Sequence, residues 1–470
     1  MSEKIIIFWF RKDLRIQDNI ALEEAGKEAK VFPIYINDDN DSDRPMGAAS
    51  KVWLYHSLKS LNISLENNLN YFKGNAFNII KELLKNKNIK GIFWNRCYEP
   101  SSILRDTKIK RYLLENDIAV KTFNGSLIRE PWDILKDDNT PYKVFTPFYK
   151  KAYLALDNIR KENDELVNIT YQSDNQYSDI EVLKLLSNLE WEKQLISKWD
   201  IGEKAAIKKL DNFLENGIID YKEGRNFPSK NNVSMLSPHL HFGEISPKRI
   251  WINTKNLKTN KDTQHFLSEI CWREFSYYLL YHFPSLPLEN LQPKFNSFPW
   301  CNDEHLLDKW KIGETGYPII DAGMKELYST GYMHNRVRMI VASFLVKNLL
   351  IHWHKGEKYF WNCLFDADLA NNCAGWQWVA GSGADAAPYF RIFNPVTQGK
   401  KFDPDGSYTK KYLPALKNMP NEYLFNPWEA PAIILKKANV RLGNNYPNPI
   451  VDIKFSREKA LSAYEKIKNR

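Results

Sequence analysis

The chain opens on an unbroken apolar run, Ile5-Ile6-Ile7-Phe8-Trp9-Phe10, short for a helix and rich in β-branched and aromatic side chains. Such a run suits a strand covered on both faces of a parallel sheet. The polar loop Arg11-Lys12-Asp13-Leu14-Arg15 follows, then a helical period over residues 19–29. A second strand, Val31-Phe32-Pro33-Ile34-Tyr35-Ile36, ends in the acidic stretch 37–43. Helical spacing returns over 48–61 and 76–84, and Gly91-Ile92-Phe93-Trp94-Asn95 reads as a further strand. This alternation predicts an α/β domain with an open parallel sheet over residues 1–130.

The pattern then changes. Asp137-Asp138-Asn139-Thr140-Pro141 is a turn and 174–179 is polar and exposed, so 131–200 reads as an interdomain linker with some helix. From residue 201 the period is helical, over 202–216, 264–282, 317–330, 335–350 and 358–370, with almost no strand-like alternation. The fold class is therefore an α/β N-terminal domain joined to a large all-α domain at 201–470.

Composition narrows the function classes. The chain has 470 residues, 43% hydrophobic and 26% charged, enough for two or three globular domains with a real core. No run approaches the ~18 apolar residues that span a bilayer. The start, Met1-Ser2-Glu3-Lys4 before six apolar residues, lacks the length and cleavage site of a signal peptide. Five cysteines (Cys97, Cys271, Cys301, Cys363, Cys373), with no CxxC pair, argue against a disulfide framework or thiolate zinc site. They fit a reducing cytosol, and a cytoplasmic location is expected.

Charge is uneven. The net +9 divides into 33 basic and 34 acidic residues over 1–220 (33 − 34 = −1) and 33 and 23 over 221–470 (33 − 23 = +10). The second half is thus the candidate for a polyanionic partner such as nucleic acid. It also holds most of the 15 Trp, which serve either stacking or a Trp-rich helical core.

Dinucleotide-loop and P-loop glycine motifs are absent. Asp366-Ala367-Asp368, Asn372 and Trp376-Gln377-Trp378 form the most informative small constellation. Two carboxylates near aromatics can accept hydrogen bonds from a ring cofactor's N–H or hydroxyl groups; a helix cap beside core tryptophans is the alternative. No HExxH or comparable ligand set accompanies them. His239/His241 and His352/His354 are bare HxH pairs that read as surface or packing residues, so no metal is expected.

Four ordered stretches decide between these readings. They are Phe10-Arg11-Lys12-Asp13-Leu14-Arg15 with Asp18-Asn19; Leu236-Ser237-Pro238-His239-Leu240-His241-Phe242-Gly243-Glu244; Trp272-Arg273-Glu274-Phe275; and the run from Tyr328 through Asn394. Together they resemble the DNA photolyase/cryptochrome family over essentially the whole chain. The resemblance implies an α/β antenna-type domain followed by a helical FAD-binding domain. It implies that Tyr221, Val233, Ser234, Met235, Leu236, Ser237, Trp272, Arg338, Asp366, Asp368 and Asn372 bind FAD. Val233 stands where the family usually has Thr, so one phosphate contact is in question. Asn372 falls where the family faces flavin N5; plant-type photoreceptors carry Asp there.

Photolyases are among the enzymes that flip their target nucleotide out of the duplex. By resemblance, Glu269, Trp272, Asn335, Met339 and Trp378 line the lesion pocket, and Arg225, Arg336, Arg391 and Gln398 join Glu269, Trp272 and Asn335 in contacting DNA. Trp300, Trp353 and Trp376 match the family's electron-transfer chain. Asn335 in place of a second His argues against (6-4) photoproduct repair, and Trp378 in place of Tyr against the single-strand-specific branch. Signalling cryptochromes usually add a long tail, whereas this sequence ends at Arg470. A class I enzyme splitting cyclobutane pyrimidine dimers by electron transfer from excited reduced FAD is therefore the expected activity. A flavin blue-light photoreceptor without repair activity is the rival. An antenna chromophore, methenyltetrahydrofolate or a deazaflavin, is the further cofactor the family can hold; Ser101-Ser102 replaces the Asn-Glu pair common in folate-binding members. The expected partner is dimer-containing DNA, with no membrane, no obligate protein partner and a monomeric state.

Overall fold

The structure, a computed structural model, describes residues 4–38, 44–86, 88–156, 168–386, 388–389 and 391–468. Five parallel strands, β1 (Ile5–Phe10), β2 (Lys30–Asn37), β3 (Asn70–Lys73), β4 (Ile89–Asn95) and β5 (Ala119–Phe123), form one sheet in the order β3-β2-β1-β4-β5. Helices α1 (Ile20–Glu28), α2 (Ala48–Ser64), α3 (Ala76–Asn86) and α4 (Pro100–Glu115) are the crossovers. All six side chains of β1 are buried and divide between two apolar clusters, Ile6, Phe8 and Phe10 on one face, Ile5, Ile7 and Trp9 on the other. Burial on both faces is why the run reads as continuous rather than alternating. Each such side chain contributes about 1.5–3 kcal/mol.

β3, β5 and α4 are additions to the sequence expectation. β3 is only four residues long, and β5 is a sheet edge of mixed polarity, Ala-Val-Lys-Thr-Phe, so neither shows a long apolar run.

The helices continue as α5 (Phe145–Leu156), α6 (Glu190–Ile196), α7 (Glu203–Asn212), α8 (Tyr221–Gly224), α9 (Ser237–Phe242), α10 (Pro247–Lys255) and α11 (Lys261–His282). Then come α12 (Glu304–Ile312), α13 (Pro318–Thr330), α14 (Asn335–Ser343), α15 (Trp353–Cys363), α16 (Leu369–Ala380), α17 (Pro395–Phe402), α18 (Ser407–Tyr412), α19 (Asn421–Leu424), α20 (Ala432–Ala438) and α21 (Ile453–Lys468). Two expected long helices, 202–216 and 335–350, each finish in a wider π-helical turn, at Phe213–Gly217 and Phe344–Asn348.

Contacts divide the chain into two compact units, and differently from the 1–130, 131–200 and 201–470 reading. The first unit is Met1–Ile218, Ser234–Pro284 and Phe365–Ala370; the second is Ile219–Val233, Ser285–Leu364 and Asn371–Arg470. The described part of 131–200 is not a free connection. Leu183, Leu185 and Leu195 bury themselves in the first unit's core, and Gln172 N donates to Val31 O at 2.8 Å. The expected helix over 358–370 is also corrected. α15 stops at Cys363, Leu364 is extended, and a new helix starts at Leu369.

Candidate functional site

In the first unit, Met235 takes a left-handed φ of +52° and Leu236 returns to the right-handed helical region. Such an alternation is the backbone geometry of anion-binding nests; here Leu236 N donates to the Ser234 hydroxyl at 3.4 Å. Ser237 begins α9, and its hydroxyl donates to Asp366. Asp368, two residues on, accepts the hydroxyl of Tyr277. Burial opposes its ionisation, yet the charges of Lys12, His241 and Arg273 and the Tyr277 bond together hold the Asp368 carboxyl below the usual range. His241 Nδ1 meets Phe365 O at 2.8 Å, and His239 bonds Glu244, so the HxH pair of α9 serves packing.

α11 starts at a side-chain cap, Asn260, which accepts from Asp262 N and Thr263 N. Its 3.6-residue period puts Glu269 and Trp272 on one face. The Trp272 indole stacks on Phe145 at 3.7 Å and 9°, which fixes its plane. The neighbouring Arg273 and Glu274 turn the other way. Arg273 donates to Ser126 O at 2.9 Å and Glu274 accepts Ile128 N at 2.8 Å. Burial pushes Glu274 up to about 7 despite Arg273 beside it.

The first unit also contains the sheet's topological switch point, the gap between β1 and β4 where open α/β sheets bind ligands. Arg11 fills it. Its guanidinium pairs with Asp106, donates to Asn95 O and lies 4.9 Å from the Trp9 ring centroid.

In the second unit, Asn372 on α16 donates through its amide nitrogen to Glu357 Oε1 at 2.6 Å. Glu357 is itself buried, so the Asn372 amide is held in place by a group out of water. Trp376, one turn further, packs its ring against Gly356 of α15, where an added Cβ would lie 2.2 Å from the indole. Trp353 starts α15, fully buried, with Nε1 donating to Asn290 Oδ1 at 2.9 Å. His352 touches both Trp353, at 5.7 Å, and the half-buried Trp300, at 5.0 Å. The three expected redox tryptophans thus sit on or beside one helix. Trp378 is half-buried on α16.

α14 carries an exposed Asn335 and half-buried Arg336, Arg338 and Met339 at its start. Arg336 donates to Asn226, contacts Met339 Sδ at 3.8 Å and covers the Phe402 ring at 4.5 Å. Arg338 donates to Met333 O at 2.6 Å, and Arg225 lies over Tyr221 at 5.5 Å. Arg391 is exposed, its carbonyl held by the buried Lys347 at 3.1 Å; Gln398 is half-buried on α17, and Val233 half-buried before the turn at Met235. The supporting residues Tyr277, Glu357 and Lys347 left no trace in the sequence pattern, because each acts through a distant partner. Among the described residues, no group of three or more His, Cys, Asp and Glu could hold a metal.

A family profile described as "DNA photolyase" matches residues 6–165, and one described as "FAD binding domain of DNA photolyase" matches 266–466. The chain is 44% identical to a deoxyribodipyrimidine photo-lyase of Agrobacterium fabrum, over 98% of each chain. It is 38% identical to cryptochrome-2 of Arabidopsis thaliana, over 98% of this chain and 79% of that one. Its structure matches that of a bacterial class III photolyase from Agrobacterium tumefaciens with a TM-score of 0.92 and 43% identity, covering 100% and 99% of the two chains. That match gives no support to the class I expectation. Within the first unit, the turn at 234–237 and Asp368, held below the usual carboxylate range, offer polar groups of the kind that FAD requires; within the second, the Asn372 amide is held by Glu357.

Proposed function

The chain belongs to the DNA photolyase/cryptochrome family, and from that premise we propose that it splits cyclobutane pyrimidine dimers in DNA under blue or near-ultraviolet light. It is an enzyme of the photo-lyase type with an FAD-binding domain. FAD, when bound, supplies light absorption and the electron that opens the cyclobutane ring. In the first unit, Ser234, Met235, Leu236 and Ser237 would take the pyrophosphate, with Asp366 and Asp368 accepting from ring and ribityl donors. In the second, the resemblance assigns Tyr221, Val233, Arg338 and Asn372 to the cofactor.

The observation that carries the reading is the pair Glu269 and Trp272, three residues apart on one face of α11, with the indole plane already fixed by Phe145. An aromatic wall beside a carboxylate suits a flipped dimer, whose saturated rings present carbonyl and N–H edges. The resemblance also assigns Trp378, Asn335 and Met339 of the second unit to the dimer, and Arg225, Arg336, Arg391 and Gln398 to flanking phosphates. Trp300, Trp353 and Trp376 would carry electrons inward by short indole hops. The protein would act as a cytoplasmic monomer without an obligate protein partner. Among the described residues, no helix is long and apolar enough to cross a membrane.

The likeness to a plant cryptochrome favours one second reading, a photoreceptor that performs no repair. Illumination of the flavin-reduced protein with a dimer-containing oligonucleotide separates the two. Light-dependent loss of dimers is expected, and dimers that survive illumination would refute repair.

A further inference from the structure

His334 precedes α14 and caps it. Its Nδ1 accepts the backbone N–H of Arg336 at 3.2 Å, and the backbone N–H of His334 donates to Glu326 Oε2 at 3.2 Å. The side chain is 3% exposed, and burial together with the charges of Arg225, Arg338 and Arg336 pushes its pKa down to about 3. The ring is therefore neutral. Because Nδ1 is the acceptor, the proton sits on Nε2. That buried Nε2–H has no hydrogen-bond partner among the described residues.

A buried donor without an acceptor is rare and destabilising, and points to a ligand that supplies the missing oxygen. Three guanidinium charges act on this ring, against one nearby carboxylate, Glu326, which burial pushes up to about 7. An excess of cations selects an anionic oxygen over a neutral carbonyl. We propose that His334 Nε2–H donates to a backbone phosphate oxygen of bound DNA, an uncharged donor set among arginines. This rests on the reading that the chain binds dimer-containing DNA.

The test uses the full chain and two single-stranded oligonucleotides, one with a single dimer and one undamaged. H334N keeps an acceptor for the Arg336 N–H but removes the distal donor, whereas H334Q places an N–H near the position of Nε2. H334N should weaken binding of both oligonucleotides by about tenfold, the lower end for a hydrogen bond to a charged group. H334Q should recover most of that loss. The slope of log affinity against log salt should not change, because a neutral imidazole displaces no counterion. Should H334N fail to fold, H334S also caps the helix without a distal donor.

The proposal is overturned if H334N changes affinity less than twofold, which would mean that internal water satisfies Nε2. It is also overturned if only dimer binding weakens, if H334Q does not rescue, or if the salt slope falls by a full unit. A shift in the bound flavin's absorption with unchanged DNA affinity would assign the donor to the cofactor instead. If the parent shows no preference for dimer-containing over undamaged strand, the repair reading fails, while the undamaged strand still decides the phosphate contact.

Discussion

Gln377 explains why a glutamine stands between two tryptophans, and its replacement gives the most direct test of the structure. The side chain is fully buried, and all of its polar atoms are used. Nε2 donates to Leu286 O and Glu289 O, both at 2.8 Å, and Oε1 accepts Leu291 N at 2.9 Å. Its backbone carbonyl accepts Gly381 N, Ser382 N and Gly383 N, each at 3.0 Å. One residue thus ties the 286–291 loop to α16 and closes the helix that carries Trp376 and Trp378. Gln377→Leu keeps the size and the helix but removes three side-chain hydrogen bonds.

At about 1 kcal/mol net for each bond, with a further penalty for leaving the buried Leu286 carbonyl unpaired, the loss should be about 3–5 kcal/mol. That is a large fraction of the 5–15 kcal/mol that holds a typical domain folded. Two measurements check it. The urea midpoint should fall without a change in slope, since the buried area is conserved. Hydrogen exchange of the Leu291 amide, whose acceptor is gone, should accelerate locally beyond the global effect. A stability loss under 1 kcal/mol, with the Leu291 amide still protected, would show that water or the backbone replaces Gln377 and that its place in the motif has another cause.

Gly356→Ala places a Cβ 2.2 Å from the Trp376 ring and 2.5 Å from Leu345, so it should destabilise by about 1–3 kcal/mol and slow light-driven flavin reduction. Trp300→Phe should abolish bleaching of the oxidised-flavin absorption under light and thiol, yet leave repair by chemically pre-reduced protein near the parent rate; loss of both would make Trp300 structural. For Glu274, raised from 4.5 to about 7 by burial, the folded state binds the extra proton between those values, so its contribution to stability is present below pH 4.5 and lost as pH rises through 7. Glu274→Gln should therefore gain on the parent by up to about 3 kcal/mol between pH 4.5 and 7.5 in denaturant unfolding; a constant difference across that range would refute the assignment. Arg336→Ala should reduce the salt slope of DNA binding by about 0.9 if it meets one phosphate, and an unchanged slope would place that guanidinium elsewhere.

Legibility followed sequence distance. β1, β2 and β4 announced themselves because strands covered on both faces need continuous apolar runs, and α11 and α13 because each buries one stripe of a long periodic segment. The edge strand β5 and the short β3 had no such demand placed on them. Residues 131–200 read as a linker because their polar residues outnumber the few leucines, such as Leu183, Leu185 and Leu195, that anchor the described part. The order of motif residues along the chain carried the family, and with it the expectation of FAD and DNA. It could not carry the class, which rests on small differences among similar sites.

The turn at 364–368 shows what periodicity misses. Apolar spacing runs on through Phe360, Cys363, Leu364, Phe365 and Ala370, and nothing local compels a break. The break comes from partners more than a hundred residues and about ninety residues away, Ser237 and Tyr277, which take the two carboxylates and hold them off the helix. Asp prefers such local, non-helical hydrogen bonding at a helix boundary, so the residue type permits the turn and the partners select it. The same two bonds leave Asp366 and Asp368 directed rather than solvated, which is the state a polar cofactor requires. In this chain the residue types of the site were visible from the start; their orientation depended on residues that only the fold brings to them.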